Sequence, residues 1–241
     1  MTSASMILLP SNRWILSSEA ELSKLTGPTW GPASKKAPKQ LVILCHGVGS
    51  DGNDLIDLAP FWAKTLPNAI FVAPHAPEPF DLAPVGRQWF PLGDLDPAKL
   101  GAGVRRAAKV LDEFIDEQLA KYGLPPTSYA LMGFSQGAMT ALFTGVRRAD
   151  APRAILAFSG ALIEPETLLA EMKNNAPVLL AHGEADDVVP AFRSKDAEAA
   201  LRTANFSVKT AYVANLGHGI DNVILDSGAK FLKKAFAGQG E

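Results

Sequence analysis

Five consecutive residues, Gly133, Phe134, Ser135, Gln136 and Gly137, match the pattern G-x-S-x-G, which carries chemistry when it joins a strand to a helix. The apolar run Tyr129 to Met132 precedes it and the helical run Ala138 to Val146 follows. Such a turn strains the serine backbone where neighbouring chain passes close, so the positions two before and two after it need residues without side chains. Gly133 and Gly137 meet that need. The Ser135 hydroxyl then stands at the start of a helix, where the Gln136 amide and the helix dipole face negative charge developing on a substrate oxygen. The implied chemistry is acyl transfer with Ser135 as nucleophile and Gln136 as one oxyanion donor. A short Gly and Ser pattern also arises by chance or as turn packing, so the weight rests on the flanking strand and helix.

A serine at its free pKa is a poor nucleophile and needs an imidazole, which in turn needs a carboxylate to fix its tautomer. The chain has four histidines. His46 and His75 precede the serine, against the Ser, acid, His order that goes with this turn, leaving His182 and His218. His182 closes an expected strand, where a ring more often supports a turn. His218 lies between the last expected strand and the last helix, with Gly217 and Gly219 freeing the backbone to bring the ring over the sheet. We take His218 as the general base, against the bland alternative of an exposed loop histidine. The acid must come from Gly183 to Pro190, which offers Glu184, Asp186 and Asp187; spacing does not choose between the two aspartates, and one of them can simply cap a turn. No metal-ligand spacing such as H-E-x-x-H occurs, and neither a metal nor an organic cofactor is expected.

These residues need a scaffold that brings distant segments together, and from Gln40 onward the pattern supplies one. Short apolar runs alternate with longer amphipathic stretches, the signature of βαβ units around a mostly parallel, doubly wound sheet with helices on both faces. The runs Leu41 to Cys45, Ala69 to Ala73, Tyr129 to Gly133, Ala154 to Phe158, Val178 to His182 and Val208 to Val213 read as strands. The stretches Asp54 to Thr65, Val104 to Tyr122, Gln136 to Arg147, Pro165 to Lys173, Phe192 to Ala204 and Asp221 to Phe236 read as helices. Pro74 to Leu92 is rich in proline and reads as a long loop, and Phe80, Trp89 and Phe90 argue that it packs on something beside the active site. Residues 1–39 read as an irregular extension with room for one early strand.

A length of 241 residues with 47% hydrophobic and 20% charged residues suits a single α/β domain. The formal charge of -2 and the scattered Lys and Arg leave no basic block to follow a phosphate backbone, so nucleic acid is not an expected partner. The lone Cys45 cannot form an intrachain disulfide and suits a reducing cytoplasm. No positive stretch precedes Met6 to Leu9, and Pro10 stops that run, so no signal peptide is expected. Ser128 to Val146 is uncharged and near membrane-spanning length, but Gly133, Ser135, Gln136 and Gly137 interrupt it; a strand turning into a helix explains it better, and no integral membrane segment is expected.

From Gln40 onward the sequence resembles the phospholipase/carboxylesterase family of α/β hydrolases, which includes acyl-protein thioesterases and small bacterial carboxylesterases. The likeness rests on Leu44-Cys45-His46-Gly47-Val48-Gly49 with Asp51-Gly52, on Gly86-Arg87-Gln88-Trp89-Phe90, on the serine motif, on His182-Gly183 to Pro190, and on Gly217-His218. It implies the α/β-hydrolase fold without a large cap domain. It selects Asp186 as the acid, with Asp187 in reserve, gives the second oxyanion amide to Val48, and makes His46 structural. It also implies an open site with the Trp89 and Phe90 loop as one wall of an acyl pocket; an aromatic pair that only anchors the loop is an equal alternative. Asp187 stands where the thioesterase branch often has Pro, so the adjacent acids look more like the bacterial esterase branch. The implied activity is serine carboxylesterase action on small or medium acyl esters, thioesters or lysophospholipids. Rival readings are a peptidase or a dienelactone-type hydrolase on the same scaffold, the latter disfavoured by Ser at position 135, and a small-molecule binding protein that retains a hydrolase shell.

Overall fold

The computed structural model describes residues 24–93 and 96–237. The stretch read as lacking a signal peptide, Met6 to Leu9, and the first part of the expected N-terminal extension lie outside them. The elements run β1 (Thr29–Trp30), β2 (Gln40–Cys45), α1 (Gly52–Ile56), α2 (Ala59–Ala63), β3 (Ala69–Val72), β4 (Glu78–Pro79) and β5 (Arg87–Gln88). They continue with α3 (Pro97–Tyr122), β6 (Tyr129–Phe134), α4 (Gln136–Arg147), β7 (Ile155–Phe158), a 3-10 turn (Pro165–Thr167), α5 (Leu168–Glu171), β8 (Val178–Gly183), α6 (Phe192–Thr203), β9 (Val208–Val213) and α7 (Asn222–Phe236). Seven strands form one sheet in the order β1-β3-β2-β6-β7-β8-β9. Its neighbours pair in parallel except β1, which runs antiparallel to β3.

Every residue of β2 is buried, as a parallel strand covered on both faces requires. The pleat sends Val42 and Leu44 to one side, where Trp62 of α2 and Ile224 and Leu232 of α7 cover them. Leu41 and Ile43 face the other side, under Val104, Leu111 and Ile115 of α3. Leu142 and Val146 of α4 and Leu201 of α6 extend that second layer over Ile155 and Val178. Cys45 ends β2 fully buried, and burial pushes its thiol well above the ordinary range.

The chain leaves β2 toward β3 on one flank and returns with β6 on the other, where Cys45 pairs with Gly133. A reversal of strand order of this kind opens a crevice at the carboxyl ends of the strands, where open α/β sheets assemble their sites.

Each expected strand forms within a residue of its expected ends. The expected helix Asp54 to Thr65 is instead two short ones, because Pro60 supplies no N–H and its ring clashes with a carbonyl one turn back. Helix α3 begins at Pro97 rather than Val104, since Asp96 caps it by accepting from the Lys99 amide at 3.0 Å and Pro97 tolerates the first turn. The stretch Pro165 to Lys173 is helical only through the 3-10 turn and α5. The proline-rich segment is more ordered than a plain loop: β4 and β5 pair antiparallel within it. At its neck Gly86, at φ +88, lies so close to Gly49 that a Cβ would fall 2.2 Å from the Gly49 carbonyl oxygen. Among the described residues no cap domain is inserted and no helix is long and apolar enough to cross a membrane.

Candidate active site

Ser135 sits between β6 and α4 with φ 53 and ψ -120, a conformation that costs about 1–3 kcal/mol in a residue with a Cβ and persists only where the surroundings impose it. Here they do. The Ser135 amide donates to the Phe158 carbonyl at 2.9 Å, extending the β6–β7 pairing past the strand end. A Cβ on Gly133 would fall 2.1 Å from the Gly137 carbonyl oxygen, and one on Gly137 would fall 2.0 Å from that of Cys45. The turn is therefore packed backbone against backbone, and both glycines are required as the motif predicts.

Asp186 follows β8 with its side chain fully buried. Its Oδ1 accepts from the Val188 and Val189 amides at 3.0 and 2.8 Å, and its Oδ2 lies 2.7 Å from His218 Nδ1. Burial alone would raise the Asp186 carboxyl; the His218 hydrogen bond and the two amides outweigh it and hold the group below the usual carboxylate range. Asp187 is exposed, and Glu184 points outward to Lys195 at 3.4 Å. The structure thus brings Asp186, and not its neighbour, to the imidazole.

The loop carrying His218 is drawn in by the Ala185 amide, which donates to the Leu216 carbonyl at 2.9 Å, and by Gly183, where a Cβ would fall 2.2 Å from the same oxygen. The His218 ring packs at 4.8 Å on the ring of Phe134, the residue before the serine. Among the described residues no hydrogen bond joins the Ser135 hydroxyl to His218, a contact that in hydrolases commonly tightens only when an acyl group is bound. His182 is fully buried: its Nδ1 lies 2.6 Å from Ser194 Oγ and its Nε2 2.7 Å from the Val189 carbonyl. It supports the turn, as its position implies.

Ser135, Val48 and Gln136 line one cavity of about 410 Å³. The loop that carries Val48 is fixed through His46, whose Nε2 accepts from the Ala76 amide at 2.9 Å while Nδ1 bonds the Gly47 carbonyl at 2.7 Å. Burial pushes this imidazole below its ordinary range, and its role is structural.

Trp89 and Phe90 do not form a wall of the cavity. Both are fully buried, and the polar atoms around them explain why. The Gln136 side chain accepts from the Trp89 amide at 2.8 Å and donates to the Phe90 carbonyl at 2.6 Å, while Trp89 Nε1 donates to the His46 carbonyl at 2.9 Å. Of the two alternatives the sequence leaves open for this pair, wall or anchor, their burial and these bonds fit the anchor. The cavity is lined instead chiefly by Leu92, Met139, Leu162, Ile163, Val188 and Pro190, none of which the sequence marks. Gln136 did carry a signal for its second role, since a polar side chain inside an apolar run is buried only with partners.

A larger cavity of about 600 Å³ lies at the amino ends of the strands, among Pro177, Phe231 and Lys234, and holds none of the candidate residues. Geometry favours the smaller one as the site. Among the described residues no group of three or more His, Cys, Asp or Glu could hold a metal ion.

A model of the phospholipase/carboxylesterase family matches residues 32–236. Esterase YpfH of Escherichia coli is 30% identical over 188 residues, which is 78% of this chain and 79% of that protein. Acyl-protein thioesterase 1 of Gibberella zeae is 27% identical over 210 residues, 80% of this chain and 89% of its own. Among solved structures, esterase PE8 superposes with a TM-score of 0.84 at 43% identity, over 88% of this chain and 99% of its own.

Proposed function

The chain belongs to the phospholipase/carboxylesterase family and is a carboxylic ester hydrolase of the α/β-hydrolase fold; from that premise we propose that it cleaves medium-chain acyl esters or thioesters through a Ser135, His218, Asp186 triad. In this reading Ser135 Oγ attacks the acyl carbonyl while His218 takes its proton, and the amides of Val48 and Gln136 hold the oxyanion. The tetrahedral adduct collapses to an acyl-enzyme as His218 returns the proton to the departing alcohol or thiol. Water then repeats the sequence and frees the acid. Asp186 keeps the imidazole in the tautomer with its proton on Nδ1. The lone buried cysteine fits a reducing cytoplasm as the place of action.

The observation that carries the reading is Ser135, held at positive φ, opening on an apolar cavity that also contains Val48 and Gln136. Its volume and its lining by Met139, Leu162 and Ile163 favour an alkyl chain of moderate length over a small polar acyl group.

The test is labelling and turnover on purified protein. A fluorophosphonate should attach to Ser135, and Ser135→Ala should lower kcat by several orders of magnitude while the fold survives. Rates on esters and thioesters graded by length should peak at intermediate chains. Full esterase activity in Ser135→Ala would end the triad reading, and absence of any covalent adduct would favour a binding protein instead.

A further inference from the structure

Glu164 stands between two residues that line the Ser135 cavity, Ile163 and Pro165, but is not part of the lining itself. Its backbone is left-handed, at φ 51 and ψ 54, a conformation that a residue with a Cβ adopts only at a cost. The side chain reaches α3 instead, where Oε2 forms an ion pair with Arg105 Nη2 at 2.6 Å. We propose that Glu164 is a positioning residue for the acyl wall: clamped on Gly101 and Arg105 of α3, it holds Ile163 and Pro165 at the cavity and so sets the longest acyl chain accepted there. This rests on the reading of that cavity as the acyl site.

Helix α3 is shaped for this clamp. A Cβ at Gly101 would fall 2.0 Å from Glu164 Oε1 and 2.8 Å from its Cδ. Glycine inside a helix costs stability relative to alanine, so its place here fits the close approach of the carboxylate. Leu100, the residue before it, lines the cavity, and Arg105 follows one turn on. Both sides of the contact thus have the same order: one residue meets the cavity, and its neighbour in the chain meets the clamp.

The clamp continues behind Glu164. Its carbonyl accepts from the Thr167 amide at 3.1 Å, and Thr167 Oγ1 lies 3.1 Å from both that carbonyl and Glu171 Oε2. Arg105 Nη2 also pairs with Glu171 Oε1 at 2.8 Å, and Arg147 Nε donates to Glu171 Oε2 at 2.8 Å. Arg147 Nη2 donates to Thr167 Oγ1 at 2.8 Å, and its guanidinium stacks 3.6 Å from the Phe143 ring. Side chains of α3 and α4 therefore hold the short irregular segment between β7 and the 3-10 turn. The Arg105 side chain is 43% exposed, and pairs of this kind add little to global stability. The effect of the clamp is expected in the shape of the cavity more than in unfolding.

The experiment measures kcat and KM on chromogenic esters graded by chain length for the parent chain, Glu164→Gly, Glu164→Gln, Arg105→Met and Gly101→Ala, with active sites counted by fluorophosphonate titration. Glu164→Gly removes the carboxylate and relieves the positive φ. Gly101→Ala gains helix propensity while its Cβ displaces the carboxylate, so loss of fold is expected of neither. In both, kcat/KM for the longest ester relative to the parent's optimum should rise about tenfold, with kcat on the shortest ester within about twofold of the parent. Arg105→Met should act in the same direction, and Glu164→Gln, which keeps the shape without the charge, should act less. Added salt should broaden the parent's length profile and leave that of Glu164→Gly unchanged. A merely structural role predicts fewer active molecules with the parent's length profile; that result, or a shift toward shorter chains, overturns the proposal. If the parent turned over no ester, the ester reading would fall by itself, and binding of alkyl carboxylates graded by length to the same chains would decide the clamp. A length limit that rises in Glu164→Gly and Gly101→Ala supports it, and an unchanged limit refutes it.

Discussion

On one flank of Ser135 the chain is held by hydrogen bonds between buried groups: Gln136 grips Trp89 and Phe90, Trp89 holds the His46 carbonyl, and His46 receives the Ala76 amide. On the other flank Leu162, Ile163, Val188 and Pro190 meet the cavity with apolar surface, and Val188 is 65% exposed. Beside it in the chain Glu164, next to Ile163, pairs with Arg105 at 2.6 Å, and Arg147 pairs with Glu171 at 2.8 Å. The contrast follows from what each flank must do. In the proposed reaction charge would develop on the first, and fixed dipoles stabilise it only if they are already aimed. In the proposed reaction an alkyl chain would rest against the second, where burial has no preferred direction and the shape of the wall sets the outcome.

Three substitutions break or sharpen this contrast. Gly137→Ala should have the largest effect, because the new Cβ meets the Cys45 carbonyl oxygen at 2.0 Å and backbone must move on the rigid flank. We expect a loss of about 4 kcal/mol or more in urea unfolding together with loss of esterase activity. Gln136→Leu comes next. It strands the buried Trp89 amide and Phe90 carbonyl, should cost about 2–4 kcal/mol, and should lower kcat about 10- to 100-fold as the His46 to Val48 loop loosens. Equal kcat in the parent and in this variant would show that the buried network shapes the fold and not the oxyanion site. Met139→Trp, on the apolar flank, should have the smallest effect on stability. It should reduce kcat/KM about tenfold for the longest esters of a graded panel while leaving the shortest nearly unchanged.

The same contrast explains what the sequence made legible. The elbow could be read because its glycines, its strand and its helix lie next to one another, so local pattern and geometry coincide. Asp186 needed more. Spacing alone leaves Asp186 and Asp187 equal and only the family resemblance selects Asp186; the physical distinction is which side chain turns inward after β8 to meet the Val188 and Val189 amides. Trp89 and Phe90 illustrate the opposite difficulty. Aromatic residues in a loop beside a site can line it or anchor it, and the choice depends on a glutamine far away in sequence whose side chain points back at them. The wall formed by Leu162, Ile163 and Val188 left no mark at all, since apolar residues after strands look the same whether they face a ligand or the core. The strands were the easiest elements to read and short helices the hardest, as the break before Pro60 shows.

Cys45 has a practical corollary. As the chain's only sulfhydryl, and one sealed beneath the helices, it should stay silent toward maleimides and iodoacetamide while the protein remains folded. A fluorophore or spin label directed to a cysteine introduced at Val188 would then report from the rim of the cavity alone, without first stripping the native residue from the sheet.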